Sequence, residues 1–463
     1  MRALPSSFVR NLYFPLAQRY KGERLLQYLQ ALRRDSVLTT EDLRAKQWQD
    51  VRSLVRAARK APFWAERLRP FSDPISPEDF ARLPILTKDD LRAHGDELLV
   101  PGATVYQTGS TSGSTGVAIT VKHSSEVQES NFACQWHARS WYGVQLGDPG
   151  LWVWGRPIYS WKKRVLQTAK ARLNNMMLVP SFDLSDEILA QWWPKIKQFR
   201  PVYIYGYTSA LDKLAEFIEA HDKVDFPVKV VFIAAEQLYH FQRERMSRVF
   251  NAPVANEYGC VETGSMAYEC PQGSWHLFTE HTYVEFLNDD NTPARPGELG
   301  QVVVTTLRNR TMPLIRYRLG DVGGPNDKPC PCGRPWPLMA MGVGRSVEMV
   351  KTKSGRVLSG QMFHYINRGL QDQHIHGIQA FRVVQRTLEN FVIEYVPESS
   401  NGTNGFDLGA ATQFFQQSMR GFIGEDIHIE LSPVEEIKPE KSGKLRYFIS
   451  ELPDSYLHTN LPQ

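Results

Sequence analysis

Cysteine is scarce in this chain: five residues among 463, at Cys134, Cys260, Cys270, Cys330 and Cys332. So few thiols, unevenly spread, exclude a disulfide framework for a chain of this size and point to a reducing compartment. Long apolar runs are lacking as well. No stretch approaches the roughly 20 residues of a membrane helix, and the segment between Arg2 and Arg10 is too short for the apolar core of a secretory signal. A cytoplasmic protein is therefore expected. An excess of one charge is also missing, since 54 basic and 50 acidic residues leave a formal charge of +4 without long single-sign blocks. Nucleic acid is accordingly not an expected partner.

What remains is ordinary globular material, 42% hydrophobic and 22% charged, long enough for two or more domains around a large core. Up to about residue 100 the pattern is helical, with Trp48, Val51, Leu54, Val55 and Ala58 at helical spacing behind Thr39 or Thr40 as N-cap. From about 150 to 260, short apolar runs alternate with helical segments in the manner of βαβ units. Residues 151–154, 202–205, 228–234 and 254–256 read as buried strands. Apolar helix faces follow Ser209, through Leu211, Leu214 and Ile218, and span 241–250. Ligands of such sheets sit beyond the carboxyl ends of the strands, and those ends carry Tyr205-Gly206, Ala235-Glu236 and Glu257-Tyr258-Gly259. The stretch 283–307 is β-rich, with a barrel-like subdomain as one option. Beyond about residue 346 a small α+β domain is expected, with strands at 381–384, 391–395 and 427–431 around a helix near 410–419.

Residues 108–116 read TGSTSGSTG, a run almost without side-chain bulk. Glycines permit the φ > 0 turns that aim successive amides at one point, and hydroxyls add donors at little steric cost. By itself the run is equally a flexible linker. A P-loop of the NTPase type is a poorer reading, because no Gly-Lys-Ser/Thr follows and Val117 stands where an anchoring lysine would be.

Further polar signatures follow in a fixed order: 257–262 as EYGCVE, 316–321 as RYRLGD, Gly344-Arg345, and 442–446 as SGKLR. With the loop at 111–116 and the segment 83–91, LPILTKDDL, this series resembles the adenylate-forming superfamily. Within it, the likeness is to the phenylacetate-CoA ligase branch and its CapK-like members, over most of the chain. The resemblance implies an α/β fold with a large N-terminal domain of βαβ sheets and a β-rich subdomain, residues 1–345. A small mobile α+β C-terminal domain, 346–463, would carry the catalytic lysine.

The activity implied by that resemblance is attack of an organic carboxylate, aromatic in the branch, on the α-phosphorus of ATP. Pyrophosphate leaves, and an acceptor thiol, coenzyme A, then displaces AMP. Such transfers depend on positioning and charge neutralisation, so they need amides, hydroxyls, a metal carboxylate and cations. By resemblance, Thr111, Ser112, Gly113, Ser114, Thr115 and Gly116 cradle the phosphates, with Glu236, Tyr258 and Gly259 lining the nucleotide site and Tyr258 stacking on adenine. Glu262 holds Mg²⁺, Asp321 accepts the ribose hydroxyls, Arg345 contacts ribose or phosphate, and Lys444 stabilises charge on the α-phosphate. Taken singly, Asp321 capping a turn and Lys444 as a solvated surface residue are equally good readings. An amine acceptor and a non-catalytic nucleotide-binding scaffold stay open as alternatives, as does the oligomeric state, a homodimer included.

Two departures stand out. Relatives often continue the loop as Gly-x-Pro-Lys, whereas this chain continues Gly116-Val117-Ala118-Ile119. At the hinge after Gly-Arg, where relatives carry an acidic residue, it has Ser346-Val347-Glu348. Separately, Cys330 and Cys332 pair with Cys270 and His276 as two soft-ligand pairs fit for tetrahedral Zn²⁺, with His281 as a substitute for His276; the alternative is ordinary buried cysteines. Some phenylacetate-CoA ligase relatives carry a metal at matching positions. Finally, Trp136, Trp141, Tyr142, Trp152, Trp154, Tyr159 and Trp161 make an aromatic-dense region. Most are expected in the core, and Arg139, Arg156 and His137 are candidates to meet a polar group of the acid.

Overall fold

The computed structural model describes residues 2–110, 119–154, 161–181, 184–236, 238–345, 349–353, 357–359, 363, 366, 378–397, 408–423, 426–437 and 448–452. Lys444, Thr111, Ser112, Gly113, Ser114, Thr115, Gly116 and Glu348 lie outside these residues, as do Arg156 and Tyr159; the side chains of Trp161 and Arg345 are likewise undescribed.

The chain opens with a run of helices. The longest, Thr40–Ala58, starts as its sequence suggests: Thr39 is the N-cap, its hydroxyl accepting from the Asp42 amide while the Asp42 carboxylate accepts from the Thr39 amide. Val51, Leu54, Val55 and Ala58 are buried on its inner face. A short hairpin follows, β1 (Gln107–Ser110) and β2 (Thr120–His123), antiparallel, with the Ser/Thr/Gly loop as its connection.

The main sheet has eleven strands. β3 (Gly150–Val153), β4 (Met176–Val179), β5 (Tyr203–Tyr207), β6 (Val230–Ala234) and β7 (Val254–Cys260) are mutually parallel in the spatial order β4-β3-β5-β6-β7. The helices Asp186–Phe199, Thr208–His221 and His240–Phe250 bury their apolar sides with Leu151, Ile204, Val231 and Ile233 on one face. The opposite face, rich in aromatics, meets the Ser125–Ser140 helix. This doubly wound arrangement is the one that alternating apolar runs and helices imply.

At β7 the sheet changes direction. β8 (Gly264–Glu269), β9 (Trp275–Leu277), β10 (Thr282–Leu287), β11 (Gly300–Thr306), β12 (Tyr317–Asn326) and β13 (Leu338–Arg345) continue it antiparallel, in the order β7-β8-β9-β13-β12-β11-β10. The β-rich stretch therefore does not close on itself as a barrel; its strands extend the parallel sheet, because the tight β7–β8 hairpin leaves β8 paired to β7 along its length.

A separate unit follows β14 (Met349–Lys351) and β15 (Val357–Ser359). In it β16 (Ile378–Gln385), β17 (Asn390–Pro397), β18 (His428–Pro433) and β19 (Phe448–Ser450) form a four-stranded sheet in the order β18-β17-β16-β19. The Leu408–Ile423 helix packs Phe415 and Met419 against Phe381, Val383 and Ile393. This is the α+β unit expected from the sequence.

The segment leading to the site is fastened to β12 by a buried arginine. Arg316, 3% exposed and at φ 50, grips Glu285 with two bonds of 3.1 and 3.0 Å and donates to the Leu83 carbonyl at 2.7 Å. Backbone bonds from Leu86 to Arg316 and from Arg318 to Leu86, each 2.9 Å, complete the attachment. Removing one partner of a buried pair strands the other charge, at about 3–5 kcal/mol. Glu285→Ala and Glu285→Gln should therefore both lower unfolding stability by about that amount in urea titrations, since each leaves Arg316 without its counter-charge; a loss in the alanine variant alone would contradict this account.

Candidate nucleotide site and a separate Cys/His cluster

The site is built on the hairpin that joins β7 to β8. Gly259 is required there: a side-chain carbon at this position would meet the Gly264 carbonyl oxygen at 2.5 Å. Gly264 itself sits at φ +77, a conformation that side chains disfavour. Between them, Val261, Glu262 and Thr263 form the tip.

Two histidines hold that tip by its carbonyls. His123, at the end of β2, lies with Nε2 3.0 Å from the Val261 oxygen, and His281 lies with Nε2 2.7 Å from the Thr263 oxygen. A carbonyl only accepts, so each Nε2 carries the proton. His281 Nδ1 then accepts from the Ser130 hydroxyl at 3.0 Å, and burial pushes this imidazole down to about 4, so it is neutral at pH 7. Asn131 Oδ1 accepts the Ser265 amide at 2.8 Å. Glu262, between the clamped carbonyls, is 6% exposed and lies 3.4 Å from the Tyr317 hydroxyl.

Tyr258, on the strand leading into the hairpin, donates its hydroxyl to Asp321 Oδ2 at 2.9 Å. Burial, reinforced by the Asp321 charge, raises the phenol well above its ordinary range, so the proton stays on tyrosine. Asp321 is paired in register with Arg345 across β12 and β13. The hairpin carrying the Ser/Thr/Gly loop abuts the same tip: a side chain on Gly109 would run into Val261 Cγ1 at 2.6 Å. On the other side of the loop, Ile119 and Val121 are buried in the core, in keeping with the apolar sequence after Gly116.

Tyr258, Gly259, Glu262, Asp321, the Arg345 backbone and both stems of the loop thus meet around one hairpin. Glu236 is placed differently. Ala235 before it adopts φ 67, and the Glu236 carboxylate accepts from the Ser209 amide at 2.7 Å and hydroxyl at 3.1 Å, capping the Thr208–His221 helix. Residue-type reasoning assigns no role to His123, Asn131 or Tyr317, which reach the tip from remote segments; the signals present are a histidine just past the loop and, for Tyr317, its place in the RYRLGD motif.

Cys270, His276, Cys330 and Cys332 cluster with their donor atoms within 4.8 Å of one another. Cys270 Sγ and Cys330 Sγ are 3.6 Å apart, and Cys332 Sγ is 3.3 Å from His276 Nε2. Ligands about 2.3 Å from a tetrahedral ion are spaced by about 3.7 Å, close to these values. His276 Nδ1 lies 3.2 Å from the Trp336 carbonyl, which assigns its proton to Nδ1 and leaves the Nε2 lone pair facing the sulfurs. His281, by contrast, spends both nitrogens on Ser130 and Thr263 and takes no part in the cluster. Cys270 follows the far end of β8, about 20 Å along the strand from Gly264, so these donors are remote from the hairpin tip.

Of the aromatic region, Trp141 is half-buried and packs against the core residues Phe278 and Trp336. His137 meets the same rings, and burial lowers it to about 4. Trp154 stacks on Tyr207 at 4.0 Å, at the carboxyl ends of β3 and β5. The Ser125–Ser140 helix carries Arg139 inward onto the aromatic sheet face.

Residues 349–451 match the family model of the CapK C-terminal domain. Protein CapK of Staphylococcus aureus is 22% identical over 382 residues, covering 82% of each chain. The chain is thus similar to the CapK and phenylacetate-CoA ligase-like adenylate-forming proteins, and its C-terminal unit matches the CapK C-terminal domain. The phenylacetate-coenzyme A ligase of Thermus thermophilus is a further relative, 27% identical over 356 residues, 70% of this chain and 75% of that one. Among solved structures, 2-hydroxyisobutyryl-CoA ligase in its postadenylation state shares the fold, with a TM-score of 0.63 at 20% identity over 90% of this chain and 91% of that one. No described helix is long and apolar enough to cross a membrane.

Proposed function

We propose that this protein is an ATP- and Mg²⁺-dependent ligase that adenylates an organic carboxylic acid and passes the acyl group to coenzyme A. The observation that carries the reading is the meeting of Tyr258, Asp321 and Glu262 around the one hairpin tip that the stems of the Ser/Thr/Gly loop also touch. In this reading Tyr258 presents its ring to adenine while its hydroxyl fixes Asp321, whose carboxylate accepts the ribose hydroxyls. Thr111, Ser112, Gly113, Ser114, Thr115 and Gly116 bind the phosphates through amides and hydroxyls, and Arg345 adds a cation at the ribose or phosphate. Glu262 is a hard oxygen donor at the tip, suited to Mg²⁺, which would neutralise phosphate charge when bound.

The acid's carboxylate oxygen attacks the α-phosphorus and pyrophosphate leaves with the bonding pair. Lys444 offsets charge on the α-phosphate as it develops. A thiolate then attacks the acyl carbon, and AMP departs. The names of the relatives support a CoA acceptor, and the small C-terminal domain, 346–463, is the part that would turn between the two half-reactions. The Cys/His cluster, with every donor supplied by protein, suits a structural Zn²⁺.

Acid-dependent exchange of labelled pyrophosphate into ATP tests the reading. Exchange should appear with at least one member of an acid panel, and Lys444→Ala should reduce it by about 100-fold or more while ATP binding by calorimetry changes little. Exchange that ignores acid, or a fully active Lys444→Ala variant, would overturn the assignment.

Metal analysis of purified protein should find one zinc per chain. Cys330→Ser/Cys332→Ser should lose it and unfold at lower temperature; zinc-free wild-type protein of normal stability would exclude the structural ion.

A further inference from the structure

Residues 2–22 present an apolar stripe that the body of the fold leaves uncovered. Helix runs through Ser6–Phe8, a π turn at Val9–Tyr13 and Phe14–Lys21. Its inner side is fixed to the body. Val9 is 1% exposed, Arg10 donates to the Leu146 carbonyl at 2.8 Å and to Asp148 at 3.2 Å, and the Leu4 backbone exchanges bonds of 2.7 and 2.8 Å with the Asn175 side chain. With that side held, Phe8, Leu12, Leu16 and Tyr20 turn outward, 43%, 52%, 59% and 93% exposed. On an α-helix a four-residue spacing drifts by about 40° per step. The π turn, with more residues per turn, rotates back the other way and brings the four closer to one line.

Two further elements border the same face. A cavity of about 290 Å³ is lined jointly by Phe14, Gln18 and Lys21 of this helix, by Tyr106 ahead of β1, and by Lys170 and Asn174 from the end of the Trp161–Leu173 helix. On these neighbouring elements Val105, Tyr106, Val165 and Leu173 are exposed as well. Together they hold eight of the twelve large apolar side chains exposed among the described residues. One exposed leucine needs no explanation, but such a concentration on adjoining elements marks an interaction surface.

Charge selects the partner. Residues 2–22 contain Arg2, Arg10, Arg19 and Lys21 and no acidic residue, and the Trp161–Leu173 helix contains five basic residues and none acidic. Without these nine, the 54 basic residues of the chain fall below its 50 acidic ones, so the remainder is net negative. Asp148 engages Arg10, and Glu23 meets Lys21 at 3.6 Å. Arg2, Arg19, Lys170 and Arg172 are exposed and form no ion pair among the described residues. A polyanion alone calls for cations without leucines between them. Apolar side chains interleaved with cations match a surface that is anionic outside and apolar beneath. No described helix is long and apolar enough to cross a bilayer, so the fit is to its surface.

We propose that this face docks on an anionic phospholipid bilayer, with Phe8, Leu12, Leu16 and Tyr20 entering the headgroup boundary and the flanking lysines and arginines on lipid phosphates. The proposal does not depend on the adenylation reading, because none of these residues belongs to the hairpin site.

Co-sedimentation of the full-length protein with lipid vesicles tests it. Vesicles of phosphatidylcholine containing phosphatidylglycerol should bind about tenfold or more tightly than phosphatidylcholine alone at low salt, since each cation near such a surface contributes roughly fivefold. About 1 M salt, which shortens the screening length to about 3 Å, should remove most of that difference. Leu12→Ser/Leu16→Ser should weaken binding to the anionic vesicles by about tenfold or more at an unchanged unfolding temperature, because these side chains gain burial only on the membrane. Tyr20→Ser, at a residue 93% exposed, should act in the same direction and serves if the double variant does not fold. Equal binding to neutral and anionic vesicles, binding to neither, or full binding by both apolar variants would overturn the proposal. So would a dimer in vesicle-free buffer that Leu12→Ser/Leu16→Ser abolishes, which gives the stripe to a second copy, or an equal affinity for duplex DNA.

Discussion

The candidate site hangs on one close approach of two backbones. At Gly259 the strand that ends the parallel half of the sheet comes so near Gly264 and Ser265 that no side-chain carbon fits. That contact lets β7 turn directly into β8, so that a parallel sheet with helical crossovers becomes an antiparallel one within a single hairpin. The consequence is positional. The tip projects at the carboxyl end of a parallel strand, where ligands of such sheets bind. The antiparallel half then brings Asp321 and the Arg345 backbone around to meet it.

Electrostatic preorganisation follows from the same geometry. A carboxylate on a mobile turn would meet a metal or phosphate only at an entropic cost. Here the carbonyls on either side of Glu262 are held by His123 and His281, and His281 is itself oriented by Ser130. Tyr258 does the same for Asp321, because a buried phenol keeps its proton and so remains a donor. Groups fixed before the ligand arrives need little reorganisation during transfer.

Much of the architecture is legible in the chain because local pattern and tertiary environment agree. The runs around Leu151, Ile204, Val231 and Val254 are buried strands, and Leu211, Leu214 and Ile218 face the sheet from one helix. The small terminal unit is equally plain in the alternation around Phe381 and Phe391. What is not legible is long-range registry. Nothing local says that the stretch after Tyr283 extends the existing sheet and leaves its edge open, since strand pairing is set by partners far away in sequence. The site divides in the same way. Tyr258 stands out because it closes an apolar run, whereas Glu262 and Asp321 are picked out by the family resemblance of their motifs. Glu236 fits that pattern equally well, yet its carboxylate caps a helix. His123 and Asn131 act through contacts that no local motif encodes, and His281 shows its role only once both nitrogens are seen to be occupied.

The central claim, that the converged groups promote transfer of a nucleotidyl group to a carboxylate, is tested most directly by following the carboxylate oxygen. With an active acid labelled with oxygen-18 in its carboxylate, and with ATP, Mg²⁺ and coenzyme A present, mass spectrometry should find one labelled oxygen in the AMP released, since the carboxylate attacks the α-phosphorus. Unlabelled AMP, or ADP formed with label in the released phosphate, would contradict the account.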